Sequence, residues 1–263
     1  MNRSRYLRIL WTVTAVCVVL GIFMRQVRQR RYEQEFEAYE YAPAEAEEEY
    51  YAGDEYYAGS GIPGVGEFRS IRIDGFVGSV NITSGGDYNY WYGESGETGG
   101  STDFALEDGI LTVRQSGVPV TDMERAGTLT IEVPDSVCLE DVDILVDAGS
   151  VSVYGLYATR CEIQNSAGSI DVNESYVENA TFRVDLGDLR VSNVDFTQME
   201  AELGAGNAEF WVPFVEETDL ALKTDLGRVD INGQSYGNGY TRDQGLSRKL
   251  TVHNGMGNIS VSY

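Results

Sequence analysis

The sequence has few of the residue types on which most catalytic and metal sites depend. It contains a single histidine and three cysteines, which leaves little room for a zinc site or a Ser-His-Asp triad. Bases are also scarce, since 19 Lys and Arg face 42 Asp and Glu, for a formal net charge of −23. Phosphate backbones require a basic surface, so this balance argues against nucleic acid as a main partner. Five prolines stand against 30 glycines, which favours turn-rich β structure over Pro-rich disorder.

Charge divides the chain into three segments. Residues 1–31 carry seven Arg and no acid, whereas residues 32–58 carry ten acids and no base. The remainder carries 32 acids and 12 bases, a net of 12 − 32 = −20. Such shifts in composition predict an organisation in separate segments before any fold is considered.

A transmembrane anchor is predicted after a short tail, residues 1–8. Residues 9–24 read ILWTVTAVCVVLGIFM without a charge, and flanking residues can extend them toward the length that a bilayer requires. A cleaved signal peptide and a buried helix are the alternatives, although no small-x-small cleavage site follows Met24. We expect a single-pass protein of the cell membrane that contacts the lipid bilayer through residues 9–24. Arginines flank both ends, so the positive-inside rule is close to a tie.

Residues 25–65 are predicted to be a disordered linker. Its Arg-flanked start is followed by a stretch rich in Glu and Tyr, with seven Tyr in residues 32–58. The stretch lacks aliphatic periodicity and cannot bury a core, so a self-repelling spacer is expected. Tyrosine phosphorylation or cation binding is the alternative.

A repeat covers the rest of the chain. Six segments align on a key glycine, with spacings of 19, 19, 19, 21 and 30 residues. These glycines are Gly149, Gly168, Gly187, Gly206, Gly227 and Gly257, with an earlier copy at Gly78 and a degenerate one at Gly109. Apolar residues stand seven and five before each aligned glycine and two and four after it, a period of two that indicates strands on both sides of a turn.

Because the same residue types recur at a near-constant period, we expect the repeats to stack with their equivalent residues opposite one another. We therefore predict an all-β fold, a parallel β-solenoid (a β-helix or β-roll) of ~19–21-residue coils over residues 66–263. A β-sandwich is the alternative. In two outward columns the charges alternate in sign, which favours neighbouring parallel strands: Arg183, Glu202 and Lys223 in one, and Asp171, Arg190 and Glu209 in the other.

The repeats resemble the putative-adhesin (DUF4097-type) family of bacterial β-strand-repeat proteins. The resemblance rests on hydrophobic-x-hydrophobic pairs around Gly-[Ser/Asp/Asn] and on LTIEVPDSV at residues 129–137. It covers roughly residues 66–263. It implies an envelope-associated solenoid without established catalysis, and it carries over no functional residues.

Other candidates for site chemistry have simpler interpretations. Asp147, Asp185 and Asp225 stand two before key glycines, where turn hydrogen bonding is favoured over calcium binding. His253 is expected to be an exposed bystander, and Cys161 an unpaired core residue. We expect no cofactor and no metal.

Three stretches break the repeat, namely residues 83–105, 115–128 and 232–249. Each begins just after the position four beyond a glycine, so we expect all three to leave from one edge, where repeat proteins commonly bind partners. Unselected surface loops are the alternative. The candidate partner-binding residues are Tyr88, Tyr90, Trp91, Tyr92, Tyr236, Tyr240 and Arg242.

The sequence therefore predicts a non-enzymatic, membrane-anchored solenoid. It would act outside the cytoplasm as an adhesin-like or envelope-sensing module, with a protein or cell-envelope polymer as partner. A cytoplasm-facing scaffold for a membrane regulator and a polysaccharide-active β-helix enzyme are the alternatives.

Overall fold

The computed structural model describes residues 66–93, 100–118 and 126–263. The predicted tail, anchor and linker, residues 1–65, all lie outside the described residues. The chain divides into two units, and every described residue lies in the second, Tyr56–Tyr263. Within these ranges, no helix combines the length and the apolar character needed to cross a bilayer.

Strands dominate the described part of the chain, and all of them join one curled, mixed sheet. Helical structure in these residues is limited to a 3-10 turn, Val215–Glu217. In chain order the strands are β1 (Ser70–Gly85), β2 (Asn89–Gly93), β3 (Ser101–Glu107), β4 (Ile110–Ser116), β5 (Thr128–Pro134), β6 (Leu139–Tyr154), β7 (Tyr157–Asn173), β8 (Tyr176–Leu186), β9 (Leu189–Ser192), β10 (Asp195–Ala205), β11 (Ala208–Trp211), β12 (Thr218–Leu226), β13 (Val229–Ile231), β14 (Gln234–Ser235), β15 (Gly239–Arg242), β16 (Arg248–Met256) and β17 (Ile259–Ser262).

Each repeat forms one layer with two arms, which meet at the key glycine. Successive layers pair in parallel with like opposite like: in β6 and β7, Gly149 lies opposite Gly168 and Val153 lies opposite Val172. The predicted parallel register of the repeats is therefore confirmed for these layers.

The four apolar columns form the core. Every residue in them is at most 8% exposed, including Ile170 and Leu189 at 1% and 0%. Side chains of both arms belong to one buried cluster. Full burial of such aliphatic side chains is worth about 1.5–3 kcal/mol each, so this interior is the main source of stability.

The layers do not stack in sequence order. From one end to the other they run β4–β5, β1, β6, β7, β8–β9, β10–β11, β16–β17 and β12–β13. At one end the chain forms the outermost layer, β12–β13, before it returns to build β16–β17 one layer further in. At the other end it forms β1 first, then the outermost layer β4–β5, and then returns to add β6 on the inner side of β1. The prediction that Lys223 directly follows Glu202 is thus wrong, because His253 lies opposite both of them.

The other outward column is confirmed. Arg190 lies opposite both Asp171 and Glu209, and its guanidinium is 3.7 Å and 3.1 Å from their carboxylates. Its side chain is 58% exposed, so these pairs contribute little to stability.

Antiparallel strands close both ends of the stack. β3 pairs with β4 and β2 with β5 at one end, while β15 pairs with β12 and β14 with β13 at the other. Unpaired sheet edges promote association between chains, so these short strands protect the outermost layers.

The prediction that all three insertions leave from one edge is wrong. Ile82 and Ile231 do stand in one column, which runs through Val153, Val172, Val191, Phe210 and Val261. Val113, however, lies opposite Ile73 in the other arm. Asp108 and Gly109 have φ angles of 51° and 77° and form a two-residue hairpin turn between β3 and β4, so Gly109 is not a key glycine.

Candidate functional site

An aromatic run, formed by Tyr88 and the residues of β2 that follow it, packs over one end of the stack. Its tyrosines Tyr88, Tyr90 and Tyr92 lie against the core, and the ring of Tyr92 is 5.9 Å from that of Phe76. The Tyr92 hydroxyl also accepts a hydrogen bond of 3.1 Å from the Gly127 N–H. Trp91 alternates with these tyrosines and is partly exposed. These contacts give the three tyrosines a structural role, and partner binding by this run stays a prediction.

The other predicted aromatics lie in the cap at the opposite end. Tyr236 and Tyr240 meet edge to face, with ring centroids 4.7 Å apart. Arg242 donates to the backbone carbonyls of Val215 and Thr218. This arginine therefore ties the last insertion to the 3-10 turn, while partner binding by the three residues is not tested by their placement.

Asp219 holds the same insertion in place. It is 7% exposed, and its carboxylate accepts hydrogen bonds of 2.7 Å and 2.9 Å from the N–H groups of Gln244 and Leu246. The hydrogen bond from Gln244, followed by that from Leu246, lowers the pKa of Asp219 below its usual range. Hydrogen bonds to the charged form favour ionisation, which is the physical cause of this direction.

We expect acid to loosen this cap. Because the folded-state pKa of Asp219 is lowered, its contribution is present above the unfolded value of about 4 and is lost as pH falls through the folded value. Asp219→Asn should therefore raise hydrogen exchange at Gln244 and Leu246 at neutral pH. It should also flatten the pH dependence of their protection. Asp103→Asn, at the other end of the stack, is the control and should leave both amides unchanged. Equal protection in the two variants would contradict this role for Asp219.

Sequence reasoning missed a row of exposed aromatic side chains along one edge of the layers. Five large aromatics there are between 39% and 48% exposed, and we call them the aromatic edge: Tyr154, Tyr157, Tyr176, Trp211 and Phe214. All follow a key glycine by five or eight residues, where the chain turns from the second arm of one layer into the next. Gly155, Glu174 and Asn193 occupy these turns with φ angles of 68°, 49° and 54°.

Four of the five aromatic residues of this edge belong to two groups. In the first, the rings of Tyr157 and Tyr176 stack at 6.4 Å with an interplanar angle of 28°. Beside them the Tyr154 hydroxyl donates a hydrogen bond of 2.6 Å to Glu174. This hydrogen bond, together with the negative charge of Glu174, raises the pKa of Tyr154. We call these four residues the tyrosine group.

The second group consists of Arg248, Phe214, Asp195 and Glu217, and we call it the arginine group. The guanidinium carbon of Arg248 lies 4.9 Å from the centre of the Phe214 ring, a cation–π geometry. The same guanidinium is 3.0 Å from carboxylate oxygens of both Asp195 and Glu217. Asp195 lies opposite Tyr176 in the parallel ladder, so the arginine group and the tyrosine group are direct neighbours.

The turn with the key glycines exposes aliphatic side chains instead. Leu186, Leu226 and Met256 each precede a key glycine and are 61%, 64% and 55% exposed. Met256 lies opposite Leu226 on one side and Ala205 on the other, and Ala205 lies opposite Leu186. The two turns of each layer therefore present different chemistry, aromatic and polar on one side and aliphatic on the other.

The remaining sequence candidates lie apart from the aromatic edge. His253 Nε2 is 3.3 Å from a carboxylate oxygen of Asp225, whose other oxygen is 3.2 Å from Lys223. Cys161 is buried, and desolvation raises its pKa to about 12. Cys138 and Cys161 are both free thiols, and Cys138 is exposed. No three His, Cys, Asp or Glu side chains in the described ranges are arranged to hold a metal ion.

Comparison with known proteins identifies the family. Residues 69–245 match the model of the Toastrack DUF4097 family, which is more than half of the chain, so this chain belongs to that family. Two crystal structures resemble it. A putative cell adhesion protein from Clostridium sporogenes ATCC 15579 has 13% identity and a TM-score of 0.45, over 74% of this chain and 92% of that one. A putative adhesin from Bacteroides fragilis NCTC 9343 has 16% identity and a TM-score of 0.38, over 75% of this chain and 93% of that one. No curated protein matches the chain.

Proposed function

We propose that this protein is a membrane-anchored interaction module whose β-solenoid binds a partner outside the cytoplasm. The solenoid comprises the stacked layers, which residues 25–65 would hold away from a single-pass helix at residues 9–24. The observation that carries the proposal is the aromatic edge, where five large rings remain exposed on a well-packed β stack. Aromatic side chains lose little conformational entropy on contact and are frequent anchors in interfaces.

The architecture supports this role because recognition and stability are carried by different parts of each layer. The core columns fix the position of each arm, whereas the turn residues five and eight after the key glycine are free to vary. Tyr154 and Trp211 occupy the same turn position as Asn173 and Ser192 in the ladder. A surface of this kind can change its partner without changing the fold.

The side of the membrane can be tested with a thiol that the protein already carries. Cys138 is exposed, whereas Cys161 is buried with a pKa raised to about 12 and is expected to be unreactive. A membrane-impermeant maleimide should label Cys138 in intact cells. Cys138→Ser is the matched control and should abolish that labelling. Labelling only after permeabilisation would place the solenoid in the cytoplasm and overturn the proposed location.

Anchoring is tested on the same preparations by extraction. The uncharged run at residues 9–24 cannot be satisfied in water, so the full-length protein should pellet with membranes. Detergent should release it, whereas high salt or carbonate should not. Full-length protein in the soluble fraction would contradict the anchor. An N-terminus found beyond residue 24 in the purified protein would instead support a cleaved signal peptide.

A further inference from the structure

We propose that the tyrosine group binds the side chain of an arginine or lysine on a basic segment of a partner protein. The inference rests on the proposed interaction role, but it depends neither on the membrane anchor nor on the side of the membrane. It commits the aromatic edge to one ligand chemistry, a cation held by aromatic rings and a carboxylate.

In the neighbouring arginine group, a cation of the chain itself already lies between an aromatic ring and carboxylates. There the guanidinium of Arg248 lies over the Phe214 ring and between the carboxylates of Asp195 and Glu217. Its side chain is only 24% exposed, so the aromatic edge can seat a largely desolvated cation. Rings and carboxylates together stabilise such a cation through the ring quadrupole and through ion pairing.

The tyrosine group contains the same kinds of groups but no cation. Tyr157 and Tyr176 remain 48% and 39% exposed, and Glu174 is exposed beside them. Among the described residues, Glu174 pairs with the Tyr154 hydroxyl and with no Lys or Arg. A guanidinium or ammonium from a partner would complete the arrangement that Arg248 completes two layers away.

The backbone at Glu174 points in the same direction. Its φ of 49° is the left-handed conformation, which glycine and asparagine adopt most readily. The equivalent turn positions in the adjacent layers carry Gly155 and Asn193, with φ angles of 68° and 54°. Glutamate thus adopts this turn conformation less readily than glycine or asparagine does. What it adds, and what Gly155 and Asn193 lack, is a carboxylate.

Charge complementarity favours a basic segment over the other ligands that bind exposed rings. The chain carries a formal charge of −23, so cations are attracted from a distance and anionic polymers are repelled. A neutral glycan would leave the Glu174 carboxylate without a counter-ion, whereas a guanidinium or ammonium group can pair with it.

The test measures binding of a short synthetic peptide of alternating Arg and Ser to the detergent-solubilised full chain. A peptide with citrulline in place of Arg keeps the shape but removes the charge, and a soluble neutral glucan tests the glycan alternative. We expect the Arg peptide to bind. Tyr157→Ala combined with Tyr176→Ala should weaken binding about fivefold, the size expected for an exposed cation–π contact. The citrulline peptide and the glucan should not bind measurably.

Glu174→Asn separates binding from folding and from bulk charge. Asparagine suits the left-handed turn, so the melting temperature should stay the same or rise while the affinity falls about threefold. Glu200→Gln removes the same charge from an exposed strand position and should change affinity by less than about twofold.

Equal losses in the Glu174→Asn and Glu200→Gln variants would mean that bulk charge alone attracts the peptide, which overturns the proposal. Glucan binding that is lost in the double tyrosine variant would also overturn it, as would failure of the Arg peptide to bind. None of these results would affect the proposed anchoring and location. The labelling and extraction experiments test those separately.

Discussion

Gly187→Ala is expected to destabilise the stacked domain severely, by about 3 kcal/mol or more. Gly187 has a φ of 139°, a conformation that residues with a Cβ essentially do not adopt. A Cβ at this position would lie 1.7 Å from the carbonyl oxygen of Gly168 in the adjacent layer. No rotation of a methyl group relieves that overlap, so the backbone itself must move.

The neighbouring layers prevent that movement. The Gly187 N–H donates a hydrogen bond of 2.8 Å to the carbonyl of Ala205 in the following layer. Gly206 in that layer has the same constraint, since its own Cβ would lie 1.7 Å from the Gly187 carbonyl oxygen. A shift at Gly187 therefore disturbs the layers on both sides. For a domain of about 200 residues, a loss of about 3 kcal/mol lowers the melting temperature by roughly 10 °C.

Two other glycines separate the causes of this effect. Gly237 has a φ of 73° with no atom within 4 Å of a built Cβ, so Gly237→Ala keeps the conformational cost and removes the overlap. We expect it to cost about 1 kcal/mol. Gly86 also has open space and no left-handed φ, and Gly86→Ala should be close to neutral. Thermal unfolding of the three variants checks this ranking, and a Gly187→Ala domain as stable as Gly237→Ala would refute the importance of close approach.

Local periodicity predicted the layers because each core column repeats within the chain. The register of Gly149 on Gly168 followed from spacing alone, and the burial of Ile170 and Leu189 confirms it. The order of the layers could not be obtained in this way. Since every layer offers the same apolar columns, β10–β11 can stack as well on β16–β17 as on β12–β13, and the sequence contains no local signal that selects one neighbour.

Buried polar side chains were missed for a related reason. Asn254, three before its key glycine, is 0% exposed, and its amide donates a hydrogen bond of 2.9 Å to the carbonyl of Gly206 in the adjacent layer. Asn165 makes the equivalent bond of 3.0 Å to Gly149. Their column also contains Val184 and Leu203, so its mixed composition concealed a role that depends on the neighbouring layer.

The aromatic edge could have been found from the sequence. Its residues stand five or eight after key glycines, so the alignment that revealed the core columns also placed Tyr154, Tyr157, Tyr176, Trp211 and Phe214 at fixed positions. The sequence prediction named instead the aromatic residues of the irregular insertions, and of these Tyr88, Tyr90 and Tyr92 pack against the core. Composition marks aromatic residues, but only the position of a turn relative to the core shows which of them remain exposed.

Val191→Asp is expected to destabilise the domain severely, whereas the adjacent Arg190→Ala should cost less than about 1 kcal/mol. Val191 is 3% exposed and lies between Val172 and Phe210 in the ladder. A carboxylate there would have no partner in an aliphatic interior. Arg190 loses ion pairs with Asp171 and Glu209, but its side chain is 58% exposed, and water replaces both contacts. Melting temperatures of the two variants measure the difference, and comparable losses would contradict a stability dominated by the core.

Val191→Asn separates buried charge from buried polarity. Both substitutions place a polar side chain of similar size against Val172 and Phe210, but only aspartate also carries a charge. Burial raises the pKa of such a carboxyl group, because the low-dielectric interior disfavours the charged form. As pH falls below that raised pKa, the carboxyl group binds a proton in the folded state, so the additional penalty of the Asp variant should shrink and be gone below the unfolded-state pKa of about 4. The two unfolding free energies should therefore converge on acidification. A gap that stays constant from neutral to acidic pH would show that lost packing, rather than an unpaired charge, destabilises the Asp variant.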